Sequence, residues 1–283
     1  MRSKLVGYAV AAAALLAWPG PARAQDWRSI TQMRQLTSDH EPLRVNIQYG
    51  AGTLEVSPGS AGLLYRASLR YDADAFRPEI DFHDGVLNLG LDDVRVRGRN
   101  VKAGEMKLQL GNQMPLDLHI EFGAARADLD LSGLRVQRFH LATGASETLL
   151  KFSKPNPEIC ELVELQIGAA KFQAIGLGNV NARVLDFSGG VGEVTLDFTG
   201  AWQQDLEARL KMGLGSLTLR VPRDVGMQVR KDGILVGFDS QGLIKRGDVY
   251  QSENWGSAER KLTVEIDAAF GSIRVVWIDA DQN

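Results

Sequence analysis

The sequence of 283 residues carries 32 basic and 35 acidic side chains, which gives a formal net charge of −3. That balance provides no overall attraction to a phosphate backbone, so we do not expect nucleic acid as a partner. The only cysteine, Cys160, excludes an intramolecular disulfide, so stability must come from a hydrophobic core, which a chain of this length can build.

The first 24 residues have the pattern of an export signal. Arg2 and Lys4 precede an apolar run from Leu5 to Trp18, and Ala22-Arg23-Ala24 places small residues where a signal peptidase cleaves. The run is too short to span a membrane comfortably as a helix. We therefore predict a signal peptide at 1–24 and cleavage before Gln25. The mature chain is then exported, to the periplasm or the extracellular space, and has no transmembrane segment.

Two segments precede the regular part of the chain. Residues 25–42 carry four apolar side chains at helical spacing and are predicted to form a lead-in helix or linker: Trp27, Ile30, Met33 and Leu36. From residue 43 to about 110, apolar and polar residues alternate with period two, and turn sequences such as Asp84-Gly85 separate the runs. This pattern predicts an antiparallel β meander as the N-terminal β region.

A repeat of 21 to 24 residues organises residues 111–283. In each copy a strand reaches a glycine corner and a second strand follows; the corners are Gly123, Gly144, Gly168, Gly190 and Gly213, with Gly50 before them and Ala269 in the same place in the last copy. A period of this length is typical of a solenoid, in which each coil buries its apolar face against its neighbours. The fold class is therefore all-β.

The repeat also predicts which residues share a row. Four residues past each corner, the inward row is Ala127, Thr148, Phe172, Val194, Leu217 and Ile273; six past it, the row is Leu129, Leu150, Ala174, Leu196, Leu219 and Val275. Outward positions pair Asp130 with Lys151 and Asp197 with Arg220, at the roughly 4.8 Å spacing of adjacent strands. An inserted hairpin near 231–256, together with Trp277, is predicted to cap the last coil.

Several short motifs together resemble the bacterial toast-rack proteins. They are Gly50-Ala51-Gly52-Thr53-Leu54, the run Gly213 to Pro222, Gly247-Asp248-Val249-Tyr250-Gln251-Ser252 and Phe270-Gly271-Ser272-Ile273-Arg274-Val275. This group includes the C-terminal domain of LiaF-type cell-wall-active-antibiotics-response proteins and the adhesin domains related to it, and the resemblance covers roughly 43–277. It implies a right-handed single-stranded β-helix in the cell envelope, without known catalytic residues.

Two strands present potential metal ligands on one face. Glu79, Asp81 and His83 alternate with apolar residues, and so do Asp117, His119 and Glu121. A spacing of two residues places each trio on one side of its strand, and histidine with carboxylate suits zinc or another divalent ion. The competing interpretation is the solvated face of a half-buried strand, which produces the same alternation.

Three further features of the sequence have a functional and a structural interpretation. The basic residues Arg95, Arg97, Arg99, Lys102 and Lys107 could bind an anionic polymer, or could form a solvated turn. The carboxylates Asp128 and Asp130 could serve a glycosidase, but Lys151 is predicted to neutralise Asp130. Glutamates flank Cys160, and their charge would raise its pKa rather than activate the thiol.

The sequence thus predicts an exported, non-catalytic β-solenoid module of the cell envelope. Its role would be adhesion, binding of a cell-wall polymer or envelope protein, or sensing of envelope stress, with the loops Lys154 to Glu158 and Gly233 to Gly256 as contact sites. No cofactor motif is present in the sequence. The alternative is a polysaccharide-active lyase or hydrolase on a β-helix scaffold.

Overall fold

The computed structural model describes residues 26–37, 42–93 and 104–279. These residues form fifteen strands and one short 3₁₀ helix, Leu177–Asn179. The strands are β1 (Trp27–Gln35), β2 (Leu43–Pro58), β3 (Leu63–Asp72), β4 (Phe76–His83), β5 (Val86–Asp93), β6 (Gly104–Leu110), β7 (Pro115–Asp130), β8 (Arg135–Lys151), β9 (Cys160–Ile175), β10 (Ala182–Asp197), β11 (Leu206–Pro222), β12 (Gly226–Asp239), β13 (Leu243–Arg246), β14 (Val249–Ser252) and β15 (Lys261–Ile278).

Long parallel strands stack into one ladder. Their order is β2-β7-β8-β9-β10-β11-β15-β12, and every neighbouring pair in this series is parallel. Each long strand is one rung, and the successive rungs β7 to β11 lie next to each other as a solenoid requires. The all-β solenoid is therefore confirmed, and its right-handed sense stays a prediction.

The glycine corners stack from rung to rung. On β7 the alternation of buried and exposed residues changes phase at Gly123 and Ala124, which are both exposed, so that the two halves of the strand face one core. A Cβ placed on Gly168 would lie 2.6 Å from the carbonyl oxygen of Gly144, and Gly144 stands in the same relation to Gly123. The corners therefore need glycine because neighbouring backbones approach too closely for a side chain.

Both predicted inward rows are confirmed. The row Ala127, Thr148, Phe172, Val194, Leu217 and Ile273 is in register across adjacent rungs, and each of its members is buried. The row that begins with Leu129 and ends with Val275 behaves in the same way. Contiguous rows of this kind are the main stabilising element of the fold, since each buried methylene contributes about 0.8 kcal/mol.

Buried asparagines fasten the segments that connect the rungs. The Asn156 side chain donates to the carbonyl oxygens of Val136 (2.7 Å) and Val180 (2.9 Å), and it accepts from the Val136 and Glu158 amides. It therefore ties three consecutive coils together. Asn156 lies within the loop predicted as a contact site, so that part of the loop is structural.

Two predictions for the N-terminal region are wrong. Residues Trp27–Gln35 form strand β1, which pairs antiparallel with β3, and not a helix; the spacing of apolar residues did not reflect a buried face, since Ile30 and Met33 are exposed. The predicted meander is also wrong in its pairing. Strand β2 lies parallel to β5, β6 and β7, while antiparallel pairs occur between β3 and β6 and between β4 and β5.

The C-terminal end differs from the predicted insertion. Strand β12, which enters the region 231–256, is itself a rung, and β15 returns to lie between β11 and β12. The hairpin is confined to β13 and β14, where β14 pairs with Gln228 to Arg230 of β12. Leu243 and Tyr250 of the hairpin pack against the core, and Trp277 donates to the Gln241 carbonyl oxygen at 2.8 Å.

Candidate functional site

The first predicted metal trio does not converge. Glu79, Asp81 and His83 are exposed on one face of β4, and the nearest charged partner of His83 is its neighbour Asp84, with 3.0 Å between Nε2 and Oδ2. Glu79 instead lines a groove of about 480 Å³ beside the second trio, together with Arg44, Asn46, Gln48, Asn88, Leu89, Asp117 and His119.

The second trio is only partly brought together. Asp117 forms an ion pair with Arg44 (3.4 Å), while His119 Nε2 lies 2.7 Å from Glu121 Oε1. The structure adds His140 of β8, which is the register partner of His119. Ligand atoms of His119, Glu121 and His140 all lie within 4.8 Å of one another, which makes them the group among the described residues that could hold a metal ion.

A carboxylate supports the histidine that the sequence analysis missed. His140 Nδ1 lies 2.9 Å from Glu164 Oε2, and Gln166 donates to the other oxygen of Glu164 at 2.8 Å. The hydrogen bond from His140 is the main reason why the pKa of the Glu164 carboxyl lies below its ordinary value. The available signal was the spacing, because His119 and His140 are 21 residues apart, as are Gly123 and Gly144.

A second surface, also missed, is an apolar row at the corners. The residue that follows each corner is apolar and outward: Ala51, Ala124, Ala145, Ala169, Val191, Leu214, Phe270 and Leu235 are in register across eight rungs. Towards the C-terminal end the side chains become large while staying exposed, with Val191 at 53%, Leu214 at 50%, Phe270 at 50% and Leu235 at 64%. We call these eight residues the corner row.

Of the five basic residues predicted as a possible polymer-binding site, one lies in the described part of the chain, and it has a local partner. Arg95, Arg97, Arg99 and Lys102 lie outside the described residues, and Lys107 Nζ contacts Glu55 at 2.7 Å. That hydrogen bond, with the Glu55 charge, raises the pKa of Lys107.

Both predicted charge pairs are register partners on adjacent rungs, as expected, but only one of them forms the predicted ion pair. Asp130 and Lys151 are register partners, as are Asp197 and Arg220, and the second pair forms an ion pair of 3.3 Å. Lys151, however, contacts Asp128 at 3.0 Å and not Asp130.

Asp130 is held by a turn instead. Its carboxylate accepts a hydrogen bond from the Ser132 amide at 3.0 Å, which directs it away from Lys151. The lysine side chain is long enough to reach the diagonal neighbour on the adjacent strand. The predicted neutralisation of Asp130 by Lys151 is therefore wrong.

Cys160 is a core residue. It is fully buried, and its thiol lies 3.5 Å from the carbonyl oxygen of Leu162. Burial raises the pKa of Cys160 to about 12, with a smaller contribution from the charge of Glu161. The predicted direction of the shift is confirmed, but burial is its main cause.

The signal peptide predicted at 1–24 lies outside the described residues. Within the described part of the chain, no helix has the length and apolar character needed to cross a membrane.

Solved structures of three bacterial proteins are similar to this chain at low sequence identity. A candidate cell-adhesion protein from Clostridium sporogenes is 16% identical, with a TM-score of 0.45 over 89% of this chain and 100% of that chain. A candidate adhesin from Bacteroides fragilis is 14% identical, with a TM-score of 0.43 over 88% of this chain and 97% of that chain.

A candidate lipid-binding protein from Parabacteroides distasonis is 12% identical, with a TM-score of 0.37 over 89% of this chain and 98% of that chain. No curated protein matches the sequence. The family model for the N-terminal domain of toast_rack, DUF2154, matches residues 23–173 and 156–220. The match spans well over half of the sequence and confirms the resemblance carried by the glycine motifs: the chain belongs to the toast-rack family.

Proposed function

We propose that the chain is an exported, non-catalytic module of the bacterial cell envelope, and that it binds an envelope protein through the large members of the corner row. Adhesion and stress sensing would both use such a contact. Export is supported by the signal-peptide pattern of residues 1–24.

The observation that carries the proposal is the exposure of four large apolar side chains in one contiguous stripe. Val191 stands between Gly190 and Gly192, and Leu214 between Gly213 and Gly215. Because glycines flank them along the strand, these side chains have no intramolecular neighbour there to pack against. Four large apolar residues on adjacent rungs form a stripe about 14 Å long, and a contiguous exposed apolar surface of this kind is typical of an interaction site.

The charges around the stripe favour a protein over an anionic membrane or polymer. Three residues before the corner row, adjacent rungs carry Lys211, Asp267 and Asp232, and two residues after it the rungs carry Glu193, Ser216 and Ser272. An anionic lipid surface or wall polymer would be attracted by a basic rim, and this rim is mixed. An apolar centre with a mixed polar rim is the usual composition of a protein interface.

The alternative, a polysaccharide-active enzyme, rested on Asp128 and Asp130 as a carboxylate pair. Lys151 contacts Asp128 and the Ser132 amide donates to Asp130, and these local contacts support a structural role for the pair over a catalytic one.

Site-specific photocrosslinking in the native host tests the proposal. A photoreactive amino acid at Leu214 is expected to give one defined protein adduct, and the same residue at Thr218, an outward position on the same strand, is expected to give none. A heterogeneous glycan adduct at Leu214 would favour a polymer partner and contradict the proposal. Equal adducts at the two positions, or none at Leu214, would also contradict it.

A further inference from the structure

We propose that His119, Glu121 and His140 form a binding site for a divalent transition-metal ion of the zinc type, and that Glu164 positions His140 in it. This site lies on β7 and β8, whereas the large members of the corner row lie on β10, β11, β15 and β12, and metal binding does not depend on the proposed protein partner.

The solenoid register brings the ligands together. His119 and His140 occupy equivalent positions on the adjacent parallel strands β7 and β8, and their rings stack with 4.4 Å between centroids and 8° between planes. Glu121 lies two residues beyond His119 and therefore on the same face of β7. Two imidazoles and one carboxylate from two rigid strands thus face the same space outside the sheet.

The distances fit an ion after a small movement of side chains. The three ligand atoms lie within 4.8 Å of one another, whereas ligands of tetrahedral zinc at bonds of about 2.0 Å lie about 3.3 Å apart. His119 and Glu121 are partly exposed, and their side chains can rotate by the difference while the backbone stays in the ladder. His119 Nε2 lies 2.7 Å from Glu121 Oε1, so the two groups are already adjacent, and the ion replaces this hydrogen bond with release of its proton.

The hydrogen bond between His140 and Glu164 is an independent observation that also points to a metal site. An ionised carboxylate only accepts hydrogen bonds, so the contact with Glu164 places the proton of His140 on Nδ1 and leaves the lone pair on Nε2. Histidine ligands of metals are held in this way, by a carboxylate on the nitrogen that does not face the ion. Gln166 in turn fixes Glu164 through its second oxygen.

The ligand types select the class of ion. Imidazole nitrogens suit Zn²⁺, Ni²⁺ and Cu²⁺, whereas Mg²⁺ and Ca²⁺ require oxygen ligands. Three protein ligands leave a fourth position open, as in zinc sites that bind water or an external group. His119 also lines the groove of about 480 Å³ described above, so a group held in that groove would lie beside the ion.

Isothermal titration of the tag-free, EDTA-treated chain with Zn²⁺ tests the site. We expect one ion per chain for the wild type and no binding of Mg²⁺. His140→Ala and His140→Gln are expected to lose at least tenfold in affinity, and His83→Ala, which alters an exposed histidine outside the cluster, is expected to bind like the wild type. Circular dichroism of each variant identifies any that fails to fold, and the use of two substitutions at His140 allows for that outcome.

The positioning role of Glu164 has its own measurement. Glu164→Ala is expected to weaken zinc binding by about 10- to 100-fold, and Glu164→Gln, which keeps an acceptor for His140 Nδ1, is expected to recover part of that loss. No heat with wild type and Zn²⁺, or undiminished binding in both His140 variants, would overturn the site. Equal affinities of wild type and Glu164→Ala would overturn the positioning role.

Discussion

Leu214 and Phe270 are register partners on adjacent parallel rungs, and each exposes half of its side chain. On both strands the residues that precede and follow are very small, and on the outer rungs Val191 and Leu235 continue the row as the next exposed apolar neighbours. A stripe of this kind costs solubility unless it is covered. The corner row is therefore the part of the surface that we connect with a partner.

The N-terminal pattern predicts where the mature chain begins. Cleavage after Ala24 should give an exported protein whose first residue is Gln25, because small residues at positions 22 and 24 match the requirement of the peptidase. Intact-mass spectrometry of the protein from the host envelope checks this. Ala24→Lys should leave the precursor uncleaved at this site, and a wild-type chain that retains residues 1–24 would contradict the prediction.

The glycines close to the corners should be sensitive to a single added methyl group, as Gly215, two residues past the corner Gly213, shows. Gly215 has φ +140°, and a Cβ there would collide with the Gly192 carbonyl oxygen. Gly215→Ala is therefore expected to lower the free energy of unfolding by more than about 1 kcal/mol. Gly256→Ala is the matched control, since nothing lies within 4 Å of the added atom, and urea denaturation should show little change for it. Equal stability of the two variants would contradict the close stacking of the corners.

The asparagine between coils should contribute more than one hydrogen bond. Asn156→Ala leaves the buried Val136 amide and the carbonyl oxygens of Val136 and Val180 without their partner, so we expect a loss of at least about 2 kcal/mol in the free energy of unfolding. Asn254→Ala removes one exposed hydrogen bond, to Arg223, and should cost much less. Thermal and urea unfolding of both variants measure the difference, and similar losses would show that Asn156 does not link the coils.

The buried thiol should be inert in the folded protein. With a pKa of about 12 and no exposed surface, Cys160 presents almost no thiolate at pH 8. We expect no reaction with a disulfide reagent in native buffer and one thiol per chain after unfolding in urea. Rapid labelling of the native chain would show that the core around Cys160 opens easily.

The glycine period was enough to predict the interior. Once the corners were aligned, the positions four and six residues later were fixed as inward rows, because the alternation of a strand starts again at each corner. The same period also implies two features of the surface that were not predicted. The residues one past each corner form the corner row, and the distance of 21 residues from His119 to His140 equals one coil.

Other features could not be obtained from local patterns. The position of β15 between β11 and β12 depends on contacts between residues far apart in the sequence. Periodicity carries no information on the lateral order of strands. Strand β1 is an edge strand held mainly by its pairing with β3, so its side chains need not alternate between core and solvent. Lys151 contacts Asp128 and not Asp130, because the Asp130 carboxylate accepts a hydrogen bond from the Ser132 amide within a turn.

The most direct test of the central claim is the affinity of the purified chain for the protein identified by crosslinking at Leu214. The double variant Leu214→Ser/Phe270→Ser should bind at least about tenfold more weakly than the wild type, because truncation of central apolar side chains removes more than 1 kcal/mol of binding free energy. Thr218→Ala, on the same strand but outside the corner row, should bind like the wild type. An unchanged affinity of the double variant would contradict the account.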